Sequence, residues 1–196
     1  MIEPNRYGVA FFDEDYTPLI KQEMPKVNGK RVRKISWICP HYAVWMNMIT
    51  RVYRGKQAYT NVSVCDDWLY FSRFKFWMQT QEWEGKQLDK DLLVEGNKIY
   101  SPDTCCFING KTNVFIINKE NINGFTGVVY DKTRNLKPYL AQIKDLNSNK
   151  HLNLGRFSTP EEAHLAWKQK KHLFACQLAE LEVDVRVKLA LTTKYL

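Results

Sequence analysis

Acidic residues and an asparagine in the middle of the chain have the types and spacing of a metal-dependent site for phosphodiester hydrolysis. Asp89 and Asp91 lie two residues apart, and Asn113 follows further along the chain. Carboxylate and amide oxygens bind hard divalent ions. Such an ion stabilises the charge that develops on the phosphorane and on the leaving oxygen. These residues therefore point to phosphodiester chemistry, provided that the fold brings them together.

A predicted strand, strand and helix would position these side chains. Two short apolar runs, 87–94 and 98–100, flank Glu95-Gly96-Asn97, where Gly and Asn tolerate the positive φ of a hairpin turn. The later run 111–117 is long enough for a short helix that carries Asn113. A carboxylate on the first strand and an amide on the helix is the layout of a one-metal phosphodiesterase site.

This unit is too small to bury a core alone, so neighbouring elements must support it. Apolar side chains at helical spacing predict one helix from Pro40, and a second helix that Asp66 or Asp67 caps. Residues 7–12 resemble a short strand. These apolar side chains are Tyr42, Trp45, Met46, Ile49 and Tyr53 in the first helix, and Tyr70, Phe74 and Trp77 in the second.

The C-terminal part predicts a three-stranded sheet covered by one helix. Strand-like runs at 127–131, 138–144 and 151–156 are separated by turn-like segments. Thr159 then caps a helix with Pro160 at its first position, and Glu162 can complete a capping box. The apolar face of this helix, which would cover one side of the sheet, consists of Ala163, Ala166, Trp167 and Phe174.

Strand alternation predicts which side chains occupy the other face of that sheet. If Ala141 and Ile143 face the helix, their neighbours along the strand point outward. Cations and amides on such a face can contact DNA phosphates and base edges, and an ordinary hydrated sheet face is the alternative. The outward side chains are Gln142, Lys144, His151 and Asn153, and the cations around them are Lys132, Arg134, Lys150 and Arg156.

Composition indicates a globular, basic protein of one large or two small domains. Lys and Arg number 29 against 21 Asp and Glu, a net charge of +8 that suits a polyanionic partner. Within the basic segment 26–34, predicted to be a loop, Arg33 and Lys34 can contact phosphate or can simply be solvated. Without a long apolar run or a signal-peptide core, we expect a soluble intracellular chain. Its 5 cysteines, with no CxxC pair, suggest reduced thiols.

Several motifs resemble the HNH, or ββα-metal, homing-type endonucleases of tailed phages. These motifs are Cys39-Pro40-His41-Tyr42, Asp67-Trp68-Leu69, Leu88-Asp89-Lys90-Asp91, Gly96-Asn97, Tyr100-Ser101-Pro102 and Cys105. The resemblance implies an α+β protein with a ββα-metal nuclease domain and supporting helices. It also implies that Asp89 and Asn113 hold one Mg²⁺ or Mn²⁺ ion, and that the residue after Asp89 is the base that activates water.

That residue is Lys90, where the family usually has histidine. No histidine occurs between His41 and His151, and a lysine with its ordinary pKa is protonated at neutral pH. Asp91, two residues from Asp89 on the predicted strand, would share its face and provides an alternative base or second ligand. The catalytic candidates are therefore Asp89, Lys90, Asp91 and Asn113.

The C-terminal motifs resemble the APETALA-type DNA-binding domain that follows the nuclease domain in many of these phage proteins. They include Gly127-Val128, Ala141-Gln142-Ile143, Leu154-Gly155 and Pro160-Glu161-Glu162-Ala163. The resemblance implies a nuclease domain over 1–118, a linker over 119–126 and a DNA-binding domain over 127–196.

The two resemblances together predict a phage endonuclease, in the cytoplasm of the bacterial host, that binds double-stranded DNA and cuts or nicks it. This chain departs from the pattern of the related plant domains, which have several Arg and a Trp on the sheet. At those positions it has residues such as Gln142 and Asn153. The alternative is a sequence-preferring, repressor-like DNA-binding protein derived from such a nuclease. No membrane partner is expected, and neither the target sequence nor the oligomeric state follows from the sequence.

Overall fold

The computed structural model shows an α+β protein and describes residues 7–27, 30–54, 60–117, 124–148 and 150–196, without the side chains of 26, 27 and 30–33. The chain forms two compact units. The first comprises Met1–Glu84 with Leu88–Phe107, and the second Gly85–Gln87 with Ile108–Leu196. This division differs from the predicted ranges 1–118 and 127–196, because the segment that carries Asn113 groups with the C-terminal sheet. Most of the predicted linker 119–126 lies outside the described residues.

The first unit begins with two antiparallel strands, β1 (Leu19–Val27) and β2 (Lys30–Ile38). The basic segment 26–34 was predicted to be a loop, and that prediction is wrong because most of it belongs to these strands. Asn28-Gly29 between the strands is a hairpin signal that the sequence interpretation overlooked. The strand predicted at 7–12 is also wrong, since Phe11 makes only a single bridge, to Tyr70.

Two helices with aromatic faces form the core of the first unit, as predicted. Helix α1 (Pro40–Tyr53) buries Trp45 and Ile49. The indole of Trp45 donates a hydrogen bond of 2.7 Å to the carbonyl of Trp68, which satisfies its buried N–H. Asp66 starts a short 3-10 helix (Asp66–Leu69), so helix α2 (Phe71–Gln79) begins three or four residues later than a cap at Asp67 or Asp66 predicts. Phe71, Phe74 and Met78 of α2 are buried against this core.

The predicted hairpin at 87–100 is wrong. Strand β3 (Ser63–Val64) pairs in parallel with β5 (Ile99–Tyr100), and β4 (Lys86–Asp89) pairs with β6 (Cys106–Asn109). The chain leaves β4 at Asp89 because its carboxylate accepts hydrogen bonds from the backbone N–H groups of Asp91 and Leu92. A turn does occur at Gly96, which has φ of 71°, but it joins no pair of strands to each other.

The predicted helix around Asn113 is confirmed as α3 (Gly110–Ile116), which directly follows β6. The predicted order of strand, strand and helix is met only in part, because β5 lies between β4 and β6. The strand that pairs with β4 is the segment 106–109, whereas the predicted segment 98–100 contributes Ile99 and Tyr100 to β5, which pairs with β3.

The second unit contains the predicted three-stranded antiparallel sheet. Its strands are β7 (Val128–Tyr130), β8 (Tyr139–Lys144) and β9 (His151–Phe157), in that order. Helix α4 (Pro160–Ala179) begins with the predicted capping box of Thr159 and Glu162. Among the residues of the sheet and of α4, Ala141, Ile143, Ala163, Trp167 and Phe174 are all buried.

Helix α5 (Val185–Thr193) follows α4 and buries Val187 and Leu191. Asp184 caps it by accepting a hydrogen bond of 2.8 Å from the backbone N–H of Arg186. None of the helices in the described parts of the chain is both long and apolar enough to cross a lipid bilayer.

The indole of Trp167, on α4, packs close to Gly127 at the start of the sheet, and we predict that a methyl group there destabilises the protein. A Cβ atom on Gly127 would lie 2.0 Å from Cδ1 of Trp167, and Gly127 has φ of +79°. We expect Gly127→Ala to lower the free energy of unfolding by about 1–2 kcal/mol through backbone strain and by about 1–3 kcal/mol more through overpacking. Urea unfolding measures the loss.

Gly124→Ala is the matched control, because Gly124 has φ of +73° and a methyl group added there would have no described atom within 4 Å. Its loss isolates the backbone strain, and the difference between the variants isolates the contact with Trp167. Equal losses would show that Trp167 does not pack on Gly127.

Candidate functional site

Asp89 is the last residue of β4. Only one of its two carboxylate oxygens accepts hydrogen bonds from the described residues. Its Oδ1 atom accepts hydrogen bonds of 3.0 Å from the N–H of Asp91 and 2.7 Å from that of Leu92. Burial raises the pKa of Asp89 above its ordinary value, and these backbone hydrogen bonds oppose the rise. Within the described part of the chain, no hydrogen bond to Oδ2 is seen. Asp89 thus has a free oxygen that can bind a cation or accept a proton.

Lys90 closes the loop that follows Asp89. Its ammonium group is buried and donates hydrogen bonds to Oδ1 of Asp91 and, at 3.0 Å, to the carbonyl of Asn97. The amide of Asn97 donates to the carbonyls of Lys90 and Ile99, at 2.8 and 2.7 Å. Because a buried ammonium needs acceptors, these contacts make Lys90 a hydrogen-bond donor that fixes the loop. They do not favour the role of base that the family pattern gave to this position.

Asp91 does not share a strand face with Asp89. The alternation argument required the strand to continue through Asp91, and β4 ends at Asp89. The side chain of Asp91 is exposed and its carboxylate is paired with Lys90. The prediction that the two carboxylates share a strand face is therefore wrong. Asp91 is nevertheless only two residues from Asp89 in the sequence and is accessible to solvent.

Thiols near Asp89 do not offer thiolate ligands at neutral pH. Burial raises the pKa of Cys105 to about 12, and burial also raises that of Cys65. A neutral thiol is a poor metal ligand. Among the residues that the structure describes, no group of three His, Cys, Asp or Glu side chains is arranged to hold a metal. Any ion at Asp89 would need further ligands from amides, water or phosphate.

Asn113 lies on α3, and its orientation is fixed by Gln87. Its Nδ2 atom donates a hydrogen bond of 2.5 Å to Oε1 of Gln87. This contact uses the amide nitrogen of Asn113 and does not involve its carbonyl oxygen, the atom that binds metal ions. Asp89 belongs to the first compact unit and Asn113 to the second. That both residues bind the same metal ion therefore stays a prediction.

A buried carboxylate that the sequence interpretation overlooked holds the first turn of α3. Glu182 is 2% exposed, and its Oε1 atom accepts hydrogen bonds of 2.7 Å from Thr112 Oγ1 and 3.1 Å from Asn109 Nδ2. The ammonium of Lys86 lies 3.9 Å from Oε2. Glu182 follows α4 in a segment with no recognisable motif, so only the tertiary structure reveals its role.

A buried lysine holds the other end of α3. The ammonium of Lys171, on α4, donates a hydrogen bond of 2.5 Å to the carbonyl of Phe115 and lies 3.7 Å from the centre of that ring. The rings of Trp167 and Tyr195 lie 5.7 and 5.4 Å away. Burial, with a smaller contribution from the charge of Lys194, lowers the pKa of Lys171 to about 8. An anion at the start and a cation at the end of α3 both complement the helix dipole.

The outer face of the sheet has the polar composition that the sequence predicted. Gln142 lies opposite Asn153, and Lys144 lies opposite His151, in the pairing of β8 with β9. Lys144, His151 and Asn153 are exposed and Gln142 is half-buried. A bulge between Ala141 and Gln142 shifts the pairing by one residue, yet the inward positions remain buried. The two amides form one row on this face, and Lys144 with His151 forms the adjacent row.

Two of the predicted DNA contacts have structural roles as well. Arg156 forms an ion pair of 2.8 Å with Asp131, in the turn after β7. Asn153 accepts a hydrogen bond of 3.1 Å from the backbone N–H of Gly155. Of the remaining predicted contacts, Lys34, Lys132, Arg134 and Lys150 are exposed, and the side chain of Arg33 lies outside the described residues.

A cavity of about 880 Å³ adjoins the polar face within the second unit. Its apolar walls come from α3 and α4 and include Val114, Phe115 and Trp167. Lys144 and His151 lie at the same cavity. The polar face therefore borders this cavity, which is lined by apolar side chains and by Lys144 and His151.

The lowered pKa of Lys171 predicts how stability depends on pH. Below pH 8 the folded and unfolded states are both protonated, and the fold bears the cost of a buried charge. Between pH 8 and 10.5 the folded state loses the proton first, so the free energy of unfolding should rise by up to about 3 kcal/mol from this group. The difference in unfolding free energy between the wild type and Lys171→Met, measured across this range, isolates the effect.

We expect Lys171→Met to be at least as stable as the wild type near pH 7, because an apolar side chain of similar length avoids burying a charge. Its advantage should shrink as the pH rises towards 10.5. Parallel pH profiles for the two proteins would show that Lys171 keeps its ordinary pKa in the fold.

Comparison of the chain with protein-family models, with curated proteins and with solved structures found no match.

Proposed function

We propose that this chain binds double-stranded DNA through the outer face of β7, β8 and β9 and hydrolyses or nicks it with one divalent ion at Asp89. The observation that carries the DNA-binding part is the pair of neighbouring rows on β8 and β9, half-buried Gln142 with exposed Asn153, and exposed Lys144 with exposed His151. Amide side chains can pair with the edge of adenine, and cations contact phosphate.

The charge around the sheet supports a polyanionic partner. Between 128 and 157 the chain has six Lys and Arg against two Asp, a net charge of +4. Both carboxylates are engaged, Asp131 by Thr133 and Arg156 and Asp145 by the 147–148 turn. The exposed field of the face is therefore positive, which attracts DNA from solution.

The proposed chemistry rests on Asp89 and on the resemblance to the HNH endonucleases. The free Oδ2 of Asp89 and the carbonyl oxygen of Asn113 are hard donors that fit Mg²⁺ or Mn²⁺. When bound, the ion would supply positive charge next to the cleaved phosphate. Asp91, exposed and next to Lys90, is the residue we favour for accepting a proton from water. In this proposal the segments β4, β6 and α3 are the variant ββα-metal motif, and the sheet β7–β9 with α4 is an APETALA-type domain.

A second candidate is a DNA-binding protein that does not cut. The contacts of Lys90 favour it, because the position where the family has a base holds a buried ammonium that donates hydrogen bonds to Asp91 and to the carbonyl of Asn97 and so closes a loop. Both candidates place the chain with DNA, in the host cytoplasm if it is a phage protein. Incubation with duplex DNA, with and without Mg²⁺ or Mn²⁺, separates them by the presence of nicks.

We predict that Asp89→Asn abolishes metal-dependent cleavage while changing DNA affinity by less than about threefold, because the ion serves chemistry more than binding. Asparagine keeps an oxygen that can accept the hydrogen bonds from Asp91 and Leu92, so the loop should stay folded. Nicking of supercoiled plasmid and a binding titration measure the two properties.

Asp66→Asn is the matched control, since it removes an exposed carboxylate from the same unit. Cleavage should survive this change. Cleavage that persists in Asp89→Asn would remove Asp89 from the site, whereas an inactive wild type that binds DNA would favour the second candidate.

The sheet face predicts different effects for its amides and its cations. Gln142→Ala should cost roughly 1–3 kcal/mol on a preferred site and little on random DNA. Lys144→Ala should weaken binding to both DNAs and lower the slope of log affinity against log salt by about one ion. Arg156→Ala should lower the slope by less, because its guanidinium already pairs with Asp131. Binding titrations at several salt concentrations measure these effects.

Asn153→Ala tests the same row with a structural complication, because Asn153 also bonds to Gly155. Its unfolding curve must therefore accompany its affinity. Equal losses on both DNAs for Gln142→Ala would show that the face contacts only the backbone of the duplex, with selectivity coming from DNA shape.

A further inference from the structure

The two strands β1 and β2 form a ribbon, and most of the side chains described in it are exposed. All described side chains from Ile20 to Pro25 and from Lys34 to Trp37 are exposed. An isolated two-stranded ribbon is marginally stable in water. This ribbon exposes apolar side chains of types that are usually buried. Such a surface is typical of one that contacts a partner.

One face of the ribbon combines apolar, amide and cationic side chains. The pairing sets Ile20 opposite Trp37 and Gln22 opposite Lys34. The register shift after Ile20 places Ser36 as an extra residue, so these four side chains stay on the same face. Ile20 and Trp37 are 54% and 46% exposed. An exposed Trp beside a cation and an amide is an arrangement that suits base edges and phosphates together.

The charge of the ribbon identifies the class of partner. Residues 19–38 contain six Lys and Arg and one Glu, a net charge of +5. The width of a two-stranded ribbon fits the major groove of B-form DNA, and strands of nine residues extend for about 30 Å. A protein partner would need matching acidic groups, whereas every turn of a duplex supplies phosphates regardless of sequence.

We propose that the β1–β2 ribbon is a second DNA-binding element, which lies in the major groove with Ile20, Gln22, Lys34 and Trp37 towards the bases. This inference rests on the proposed DNA-binding function and adds to it a contact outside the C-terminal sheet. Lys21, on the opposite face, then contacts phosphate at the edge of the groove. The ribbon holds the first unit on the duplex while the sheet holds the second.

The test uses the full chain, duplex DNA of random sequence and variants that separate charge from apolar contact. Lys21→Gln with Lys34→Gln should lower the slope of log affinity against log salt by about two and weaken binding by about tenfold or more. Trp37→Ala should weaken binding by about threefold or more and leave that slope unchanged, because it removes contact area and no charge. The unfolding midpoint should stay at the wild-type value in each variant, since these side chains are exposed.

Matched controls come from the same unit. Arg54→Gln with Lys98→Gln removes two exposed cations, and Phe76→Ala removes an apolar side chain that is 74% exposed. These variants should bind as the wild type does.

The outcomes distinguish this inference from the proposed function on which it rests. If the wild type does not bind duplex DNA, the proposed function fails. If the wild type binds and the ribbon variants bind equally well, the sheet alone holds DNA and the ribbon proposal is overturned. Binding to anionic phospholipid vesicles that depends on Lys21, Lys34 and Trp37, with DNA binding unchanged, would overturn it in favour of a membrane surface.

Discussion

The geometry around Asp89 depends on the need of a buried ammonium group for acceptors. Lys90 enters the interior of the loop after β4, where a charge is tolerated only when it is paired and hydrogen-bonded. Asp91 and the carbonyl of Asn97 meet that need, and the amide of Asn97 returns hydrogen bonds to the backbone on both sides. The loop therefore closes on itself. Asp89 is at the start of the loop, and one of its carboxylate oxygens accepts hydrogen bonds from backbone N–H groups.

A similar constraint acts on α3 in the second unit. A helix of seven residues has little stability by itself, and buried charges from outside the helix hold both of its ends. Glu182 satisfies polar groups of the first turn, and Lys171 bonds to the carbonyl of Phe115. Asn113 lies between them, and its amide is oriented by Gln87. The position of this candidate ligand thus depends on groups far away in the sequence.

The two proposed DNA-binding elements both present polar and basic side chains on antiparallel strands. They differ in whether a helix covers the opposite face. In the C-terminal sheet, α4 covers one face, so the other face is free to hold amides and cations on a rigid support. In the β1–β2 ribbon, by contrast, the described side chains from Ile20 to Pro25 and from Lys34 to Trp37 are exposed. A rigid face suits selection among sequences, whereas an uncovered basic ribbon suits attachment to any duplex.

Elements whose patterns are local could be predicted from the residues alone. The aromatic spacing after Pro40, the capping box of Thr159 and Glu162, and the alternation around Ala141 and Ile143 predict the helices, the sheet and its outer face, because each depends on neighbours within one turn or strand. Tertiary structure decided the strand partners of the segment 86–109, because Gly96 signals a turn without specifying what pairs across it. It also decided the roles of Lys90, Glu182 and Lys171. Each of these is a buried charge, and its acceptors or donors are set by packing rather than by a pattern of residue types.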